Sequence, residues 1–316
     1  MLVKMLSALA LTGRRKGGMA WVMRYRGPIY RPPSEAMSLL VQATIGCPHN
    51  KCSFCMVYKR GPRFATRPVE EIVADLDQAR AELGPEVRSL FLPAGDSLAM
   101  PTADLEAVCR AARERFPGLE RVTTYASIQS IAAHGAEGLA RLQAAGLTRL
   151  HVGLESGHDP TLARVKKGCD SALQIRAGRM ALAAGLELNL YVILGLAGPS
   201  DSPAHARASA QVVNAINQAG PLTLRLRTLT PKVGTLLLHQ IRKGRFTLCT
   251  PHQVLAETAA LIAGLDGPLQ LTSDHYTNYL DLAGGLPRDR ERLLAQIQAA
   301  SRLPRQAFRP DFVGDQ

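Results

Sequence analysis

The chain has 316 residues, 46% of them hydrophobic and 20% charged, with 38 Lys and Arg against 26 Asp and Glu. This is the composition of a folded protein with one large domain or two ordinary ones. No apolar run approaches the roughly 18–20 residues that cross a bilayer, so membrane insertion is not expected. The formal charge of +12 can attract nucleic acid or an anionic small molecule, but scattered arginines on helix faces, with no basic tail or stripe, are the stronger explanation of it.

Residues 1–37 read as a basic leader and N-terminal extension. An apolar patch, Met5 to Leu11, precedes Arg14-Arg15-Lys16, the reverse of the order in a signal peptide. A cytoplasmic location is therefore expected, where thiols stay reduced and cysteines are free to bind metal. Leu39-Leu40-Val41 reads as a buried strand, and directly after it comes Gly46-Cys47-Pro48-His49-Asn50-Lys51-Cys52-Ser53-Phe54-Cys55. Thiols packed this densely build a core poorly and hold a soft metal well. Their odd number matters, because closed zinc sites take four protein ligands. His49 offers a fourth ligand for a zinc reading, although such sites draw on two separated knuckles and no second pair is present. Cys109, Cys169 and Cys249 are isolated, and Cys109 falls within a helical apolar pattern.

From here helices and strands alternate. Helices are expected at 68–83, 102–116, 128–145 with a break at Gly135, 171–184, 204–219, 251–265 and 288–300. Strands are expected at 87–92, 121–125, 150–154, 186–194 and 222–229, with a possible last one at 269–272. Six strands in alternation with helices of this length indicate parallel βα units. Cys47, Asp96, Ser127, Glu155 and Gly195 all fall just after strand C-termini, which favours a barrel face over the single switch point of an open sheet. The expected fold is α/β: a partial (βα)6 TIM-like barrel over residues 38–230, with a short helical extension over 231–316 closing the substrate side.

The cysteine loop followed by βα units resembles the radical S-adenosylmethionine (SAM) superfamily. More narrowly, it resembles the branch of tRNA methylthiotransferases, Elongator-type enzymes and oxygen-independent coproporphyrinogen oxidases. The resemblance implies that Cys47, Cys52 and Cys55 hold a [4Fe–4S] cluster whose open iron chelates SAM, and that reductive cleavage yields a 5'-deoxyadenosyl radical. Four residues separate Cys47 from Cys52 where the family most often has three, while Cys52-Ser53-Phe54-Cys55 matches fully. Phe54 stands where the family places an aromatic near the adenine. Gly95-Asp96 resembles the Gly-Gly-Glu region, with Asp96 as acceptor for the SAM ammonium group. Gly153-Leu154-Glu155-Ser156-Gly157 through Val165-Lys166-Lys167-Gly168 resembles the segment after the fourth strand, which implies that Glu155 reaches SAM. For Lys166 and Lys167, solvation of a helix end explains the residues equally well. Gly195 and Gly198 would let the backbone approach adenine.

Asn189 and Tyr191 share one strand face, as do Arg225 and Arg227. Buried guanidinium groups need anionic partners, so these arginines meet the SAM carboxylate, an acidic substrate or a framework carboxylate. In the polar stretch Thr272 to Tyr279, His275 is a candidate proton relay. Tyr58, Lys59 and Arg60 either contact substrate or shield the cluster. Tyr191, Arg227 and His275 are thus the catalytic candidates. Phe54, Gly95, Asp96, Ser127, Glu155, Asn189, Gly195 and Arg225 are the cofactor-binding ones. Residues 1–37 leave no room for a cobalamin or second-cluster domain. The expectation is a compact enzyme acting on a small molecule and served by a flavodoxin- or ferredoxin-like electron donor. RNA modification is the alternative, and a non-catalytic iron–sulfur protein a third reading.

Overall fold

The computed structural model describes residues 23–218 and 220–310. The leader expected over 1–18 and the helix end expected at Ala219 lie outside the described residues. A short 3-10 turn, Pro33–Glu35, leads into β1 (Leu39–Leu40), followed by a two-residue ribbon of β2 (Thr44–Ile45) and β3 (Ala65–Thr66) that brackets the cysteine loop. The alternation then runs α1 (Val69–Leu83), β4 (Ser89–Leu92), α2 (Thr102–Arg115), β5 (Arg121–Ala126), α3 (Ile128–Ala144) and β6 (Arg149–Glu155). It continues through α4 (Asp159–Arg164), α5 (Ser171–Ala183), β7 (Glu187–Leu194), α6 (Ser202–Ile216), β8 (Leu222–Thr228), α7 (Leu236–Arg242), α8 (Pro251–Ala263), β9 (Leu269–Thr272), β10 (Ala283–Leu286) and α9 (Arg290–Ser301).

Eight strands form one sheet in the order β1-β4-β5-β6-β7-β8-β9-β10. All pairs are parallel except β9 with β10. The fold is therefore α/β with a mixed, mostly parallel sheet of the partial-barrel type. It exceeds the six strands expected, because residues after 230 add two strands to the sheet as well as helices. The antiparallel β10, with its sequence Ala-Gly-Gly-Leu, carries too little apolar periodicity to be read as a strand. The helix break at Gly135 is present, with φ +64 and ψ 179.

The two faces of the sheet differ in chemistry because strand side chains alternate. One face carries Leu90, Leu92, Val122, Leu150, Val152, Leu188, Leu190, Leu224 and Leu226, all within 1% of full burial and all in the main apolar core. Consecutive helices pack side by side against each other: α1 with α2, α2 with α3, α3 with α5, α5 with α6, α6 with α8 and α8 with α9. At roughly 1.5–3 kcal/mol per fully buried aliphatic side chain, this face supplies most of the driving force for folding. The opposite face is aromatic and polar. Phe91, Tyr125, His151 and Tyr191 follow one another across β4, β5, β6 and β7 with ring centroids 5.1, 5.8 and 5.9 Å apart. The register then sets Tyr191 beside Arg225, and Ile193 beside Arg227. This polar face, at the strand C-termini, is where the sequence candidates gather.

Candidate active site

The cysteine loop is anchored on three sides by backbone hydrogen bonds. Gly95 N–H donates to the Gly46 carbonyl at 3.0 Å, Ser53 N–H to Val165 at 2.9 Å, and Leu237 N–H to Ser53 at 2.9 Å. The turn after β4, the end of α4 and the start of α7 thus hold one loop. Gly95 is required there by space: a Cβ on it would lie 2.6 Å from Cys47 Cβ and 2.8 Å from the Tyr58 ring. Gly95→Ala is expected to displace Cys47 and cost about 1–3 kcal/mol, an overpacking penalty. Chemical denaturation and iron content after reconstitution check it; wild-type values in both would remove Gly95 from the loop's support.

All six cysteines are free, and Cys47, Cys52 and Cys55 are half-buried. Burial pushes the Cys52 thiol up to about 11, against the opposing charge of Lys167, and raises Cys55 as well. Cys52 feels the charge of both Cys55 and Cys47, and Cys55 that of Cys47, so the three share one electrostatic neighbourhood. Among the described residues, no three His, Cys, Asp or Glu side chains stand gathered closely enough to hold a metal ion as they are. The fit to a soft metal group rests on donor type: three free thiols of one loop, seated by main-chain bonds. His49 is directed elsewhere, with Nε2 2.7 Å from the Lys166 carbonyl. Cys109, fully buried in α2 with its thiol pushed to about 12, and Cys249, buried beside Gly195, lie apart from the loop.

Lys167 and Glu155 form the centre of the seat. Glu155 ends β6 at a register shift with φ +66, a left-handed conformation that L side chains adopt at a cost. Its carboxylate folds back over Gly153, in space that any Cβ there would occupy, and meets Lys167 Nζ at 3.1 Å. Burial opposes the charge on Lys167, but Glu155 and then Cys52 outweigh it and hold the ammonium well above its ordinary value. Lys166 is also left-handed, φ +57, and offers its carbonyl to His49. Solvation of a helix end therefore does not account for Lys167, which is buried and paired.

Asp96 is 1% exposed, and both its oxygens are taken: Ser127 N–H donates to one at 3.2 Å and Ser130 Oγ–H to the other. Burial raises its carboxyl pKa, against these hydrogen bonds. Ser127 caps α3 by accepting from Ser130 N–H at 3.0 Å. The two candidates are thus one unit that fixes the helix start beneath the loop. Phe54 is half-buried within the loop. Gly195, φ +76, donates its N–H to the buried Glu257 at 3.0 Å, and its open side faces Cys249 and Val254. Glu257 is a buried carboxylate that also binds Ser202 and His205.

Asn189 and Tyr191 converge on a residue that sequence reading passed over. His151 Nδ1 lies 3.0 Å from the Tyr191 hydroxyl and 3.4 Å from Asn189 Nδ2, while its Nε2 lies 3.3 Å from Glu35. Arg225 is buried and paired with Asp274 at 2.5 Å. Arg227, two residues on and on the same face, is exposed. His275 donates to or accepts from Thr277 Oγ1 at 2.7 Å and packs on Tyr276 at 4.4 Å. Burial first, then Arg227, Arg225, Lys232 and Arg309, push its pKa down to about 3. It is a neutral imidazole at ordinary pH. A cleft of about 540 Å³ opens beside the cysteine loop, bordered by Cys52, Met56, Arg60, Lys166 and Leu236. Small-molecule sites typically enclose roughly 300–1,000 Å³.

The sequence pattern of the radical SAM superfamily matches residues 41–208, more than half of the chain. A search of curated protein sequences finds no match. Among solved structures, the chain is similar to the cobalamin-dependent S-adenosylmethionine radical enzyme OxsB with a TM-score of 0.53 and 15% identity, covering 73% of this chain and 41% of that one. It is similar to coproporphyrinogen III oxidase (HemN) from Escherichia coli, a radical SAM enzyme, with a TM-score of 0.52 and 20% identity over 72% of this chain and 52% of that one. At these identities the likeness is one of fold. The chain spans about half the length of these relatives or less.

Proposed function

The chain belongs to the radical SAM superfamily, and from that premise we propose an enzyme that binds SAM beside Cys47, Cys52 and Cys55 and acts on a small molecule in the polar chamber of the sheet. When bound to these three thiolates, a [4Fe–4S] cluster supplies the electron that cleaves SAM reductively and so provides a radical able to take hydrogen from substrate. The observation that carries the reading is the seating of the three free thiols on Gly95, Val165 and Leu237 at the mouth of that chamber.

The residues of the chain then have distinct tasks. Lys167 places a positive charge next to Cys52, which favours the thiolate over the thiol and eases loss of the proton that metal binding requires. Glu155 keeps that ammonium in place and presents its second oxygen to the amino-acid part of SAM. Asp96, through Ser127 and Ser130, fixes the start of α3 beneath the cysteine loop. Phe54 offers an apolar surface to adenine, and Gly195 lets main chain approach it. Tyr191, held by His151, lines the chamber floor with Asn189. An external protein donor of the flavodoxin or ferredoxin class supplies the electron.

Anaerobic reconstitution is expected to give about four irons and four sulfides per chain. Reductant and SAM should then yield 5'-deoxyadenosine, with both properties lost in Cys52→Ala. A chain that takes up one zinc and no iron would sink the proposal.

A further inference from the structure

We propose that Arg227 is the anion-binding residue of the chamber and that the substrate carries a carboxylate or phosphate group which it holds. Calling the bound anion a substrate rests on the reading above; the anion site itself does not.

Arg225 and Arg227 stand on one face of β8, and their situations differ. Arg225 is buried and satisfied by Asp274. Arg227 is exposed, and among the described residues no carboxylate pairs with it. The register places it beside Ile193 at the carboxyl end of β7 and one row above Tyr191 and Arg225. Its alternate neighbours Leu226 and Thr228 are buried on the other side, so the guanidinium extends from the polar face. Within electrostatic reach of His275 lie Arg227, Arg225, Lys232 and Arg309, while Asp274 is committed to Arg225.

Tyr125 lies within electrostatic reach of Tyr58, just after the cysteine loop, and of Arg225 and Arg227. Arg225, Arg227 and Tyr58 therefore stand around the same ring. In the sheet, β5, β6 and β7 separate β8 from β4, whose following turn supports the cysteines. A molecule held by Arg227 lies across the chamber from SAM, which is the place of a substrate. Exposed Tyr276, stacked on His275, adds an apolar rim suited to a compact organic anion. A planar guanidinium fork recognises carboxylate and phosphate through paired N–H donors.

The test is calorimetric titration of the purified full chain with inorganic phosphate and, separately, succinate, at low ionic strength. Parallel titrations use Arg227→Ala, Arg227→Lys and, as a charge-matched control, Arg302→Ala at the C-cap of α9. Binding of at least one anion is expected, weakened about tenfold or more in Arg227→Ala, partly restored in Arg227→Lys and unchanged in Arg302→Ala, with SAM affinity the same in all four. Which anion binds separates carboxylate from phosphate as the source. Equal loss in the control means diffuse charge and overturns the site. Loss of SAM affinity in Arg227→Ala overturns it also, since the arginine then serves the SAM carboxylate. A short RNA that binds tighter than either anion, with a steep salt dependence removed by the substitution, overturns the small-molecule assignment. Retained anion binding in a chain that neither takes up iron nor cleaves SAM leaves the anion site standing and sinks the radical reading.

Discussion

Lys167→Met is expected to destabilise the chain by about 3–5 kcal/mol, the cost of leaving one partner of a buried ion pair uncompensated. Lys167 and Glu155 are 11% and 15% exposed and 3.1 Å apart. Removal of the ammonium strands a carboxylate that cannot turn to solvent, because the left-handed backbone of Glu155 and the bare face of Gly153 hold it in place. The double variant Glu155→Gln/Lys167→Met should recover a good part of the loss, because it replaces an unpaired charge with neutral groups. Urea unfolding of the four proteins of this cycle gives the coupling energy. A coupling below about 0.5 kcal/mol would show that the pair behaves as a surface contact. The same cycle separates structure from chemistry: a folded double variant that takes up iron poorly would place the ammonium in the service of Cys52.

That pair also marks the boundary of what sequence can carry. The trio of cysteines, Gly95-Asp96 and Gly153 to Gly157 were legible because each motif is local and falls at a strand end. The order of helices and strands followed from periodicity, including the break at Gly135. Lys167 was read as one of two equivalent lysines, since its partner lies 12 residues back and is reached only through a β-bulge. Glu35 sat inside a stretch assigned to an N-terminal extension; the structure instead buries it completely. A lone carboxylate in a Pro-rich segment has no period, and its partners Arg121 and His151 lie 86 and 116 residues away. His151 did carry a signal, a polar ring at alternate spacing in an apolar strand, but one position in a strand cannot say what it faces. Arg225 and Arg227 look alike in sequence and differ in structure only because Asp274, from a loop after β9, reaches one of them.

The largest electrostatic effect away from the cysteine loop is expected at Glu35. This carboxylate is fully buried at the amino end of the sheet, where it accepts from Ser38 Oγ–H at 2.6 Å and faces His151, Arg121 and Arg149. Burial raises its pKa, and the hydrogen bonds from His151 and Ser38, with the charge of Arg121, reverse this and bring it below the ordinary 4.5. Burial lowers His151 below 6.5 against the pull of Glu35, so the ring is neutral at pH 7. With Nε2–H directed to Glu35, Nδ1 is left to accept from the Tyr191 hydroxyl. Glu35→Ala removes the acceptor and leaves Arg121 and a buried ring without their carboxylate, at an expected cost of about 3–5 kcal/mol at pH 7, while Arg149 keeps Glu187 at 2.6 Å. The sign of the pH dependence follows from linkage. Because Glu35 has a depressed folded pKa, its contribution is complete above 4.5 and is lost as the pH falls through the folded value. The stability gap between wild type and Glu35→Ala should therefore not narrow until the pH drops below about 4.5. Both proteins lose stability from pH 6.5 downward, since a ring held below its unfolded pKa must be protonated on unfolding. Urea midpoints measured from pH 8 to pH 4 test both limbs. A gap that is present at pH 6 and collapses as the pH rises to 8 would mean that charged His151 rather than ionised Glu35 carries the interaction, since a raised histidine pKa stabilises only below the folded value. His151 Nδ1 would then donate to the Tyr191 hydroxyl rather than accept from it.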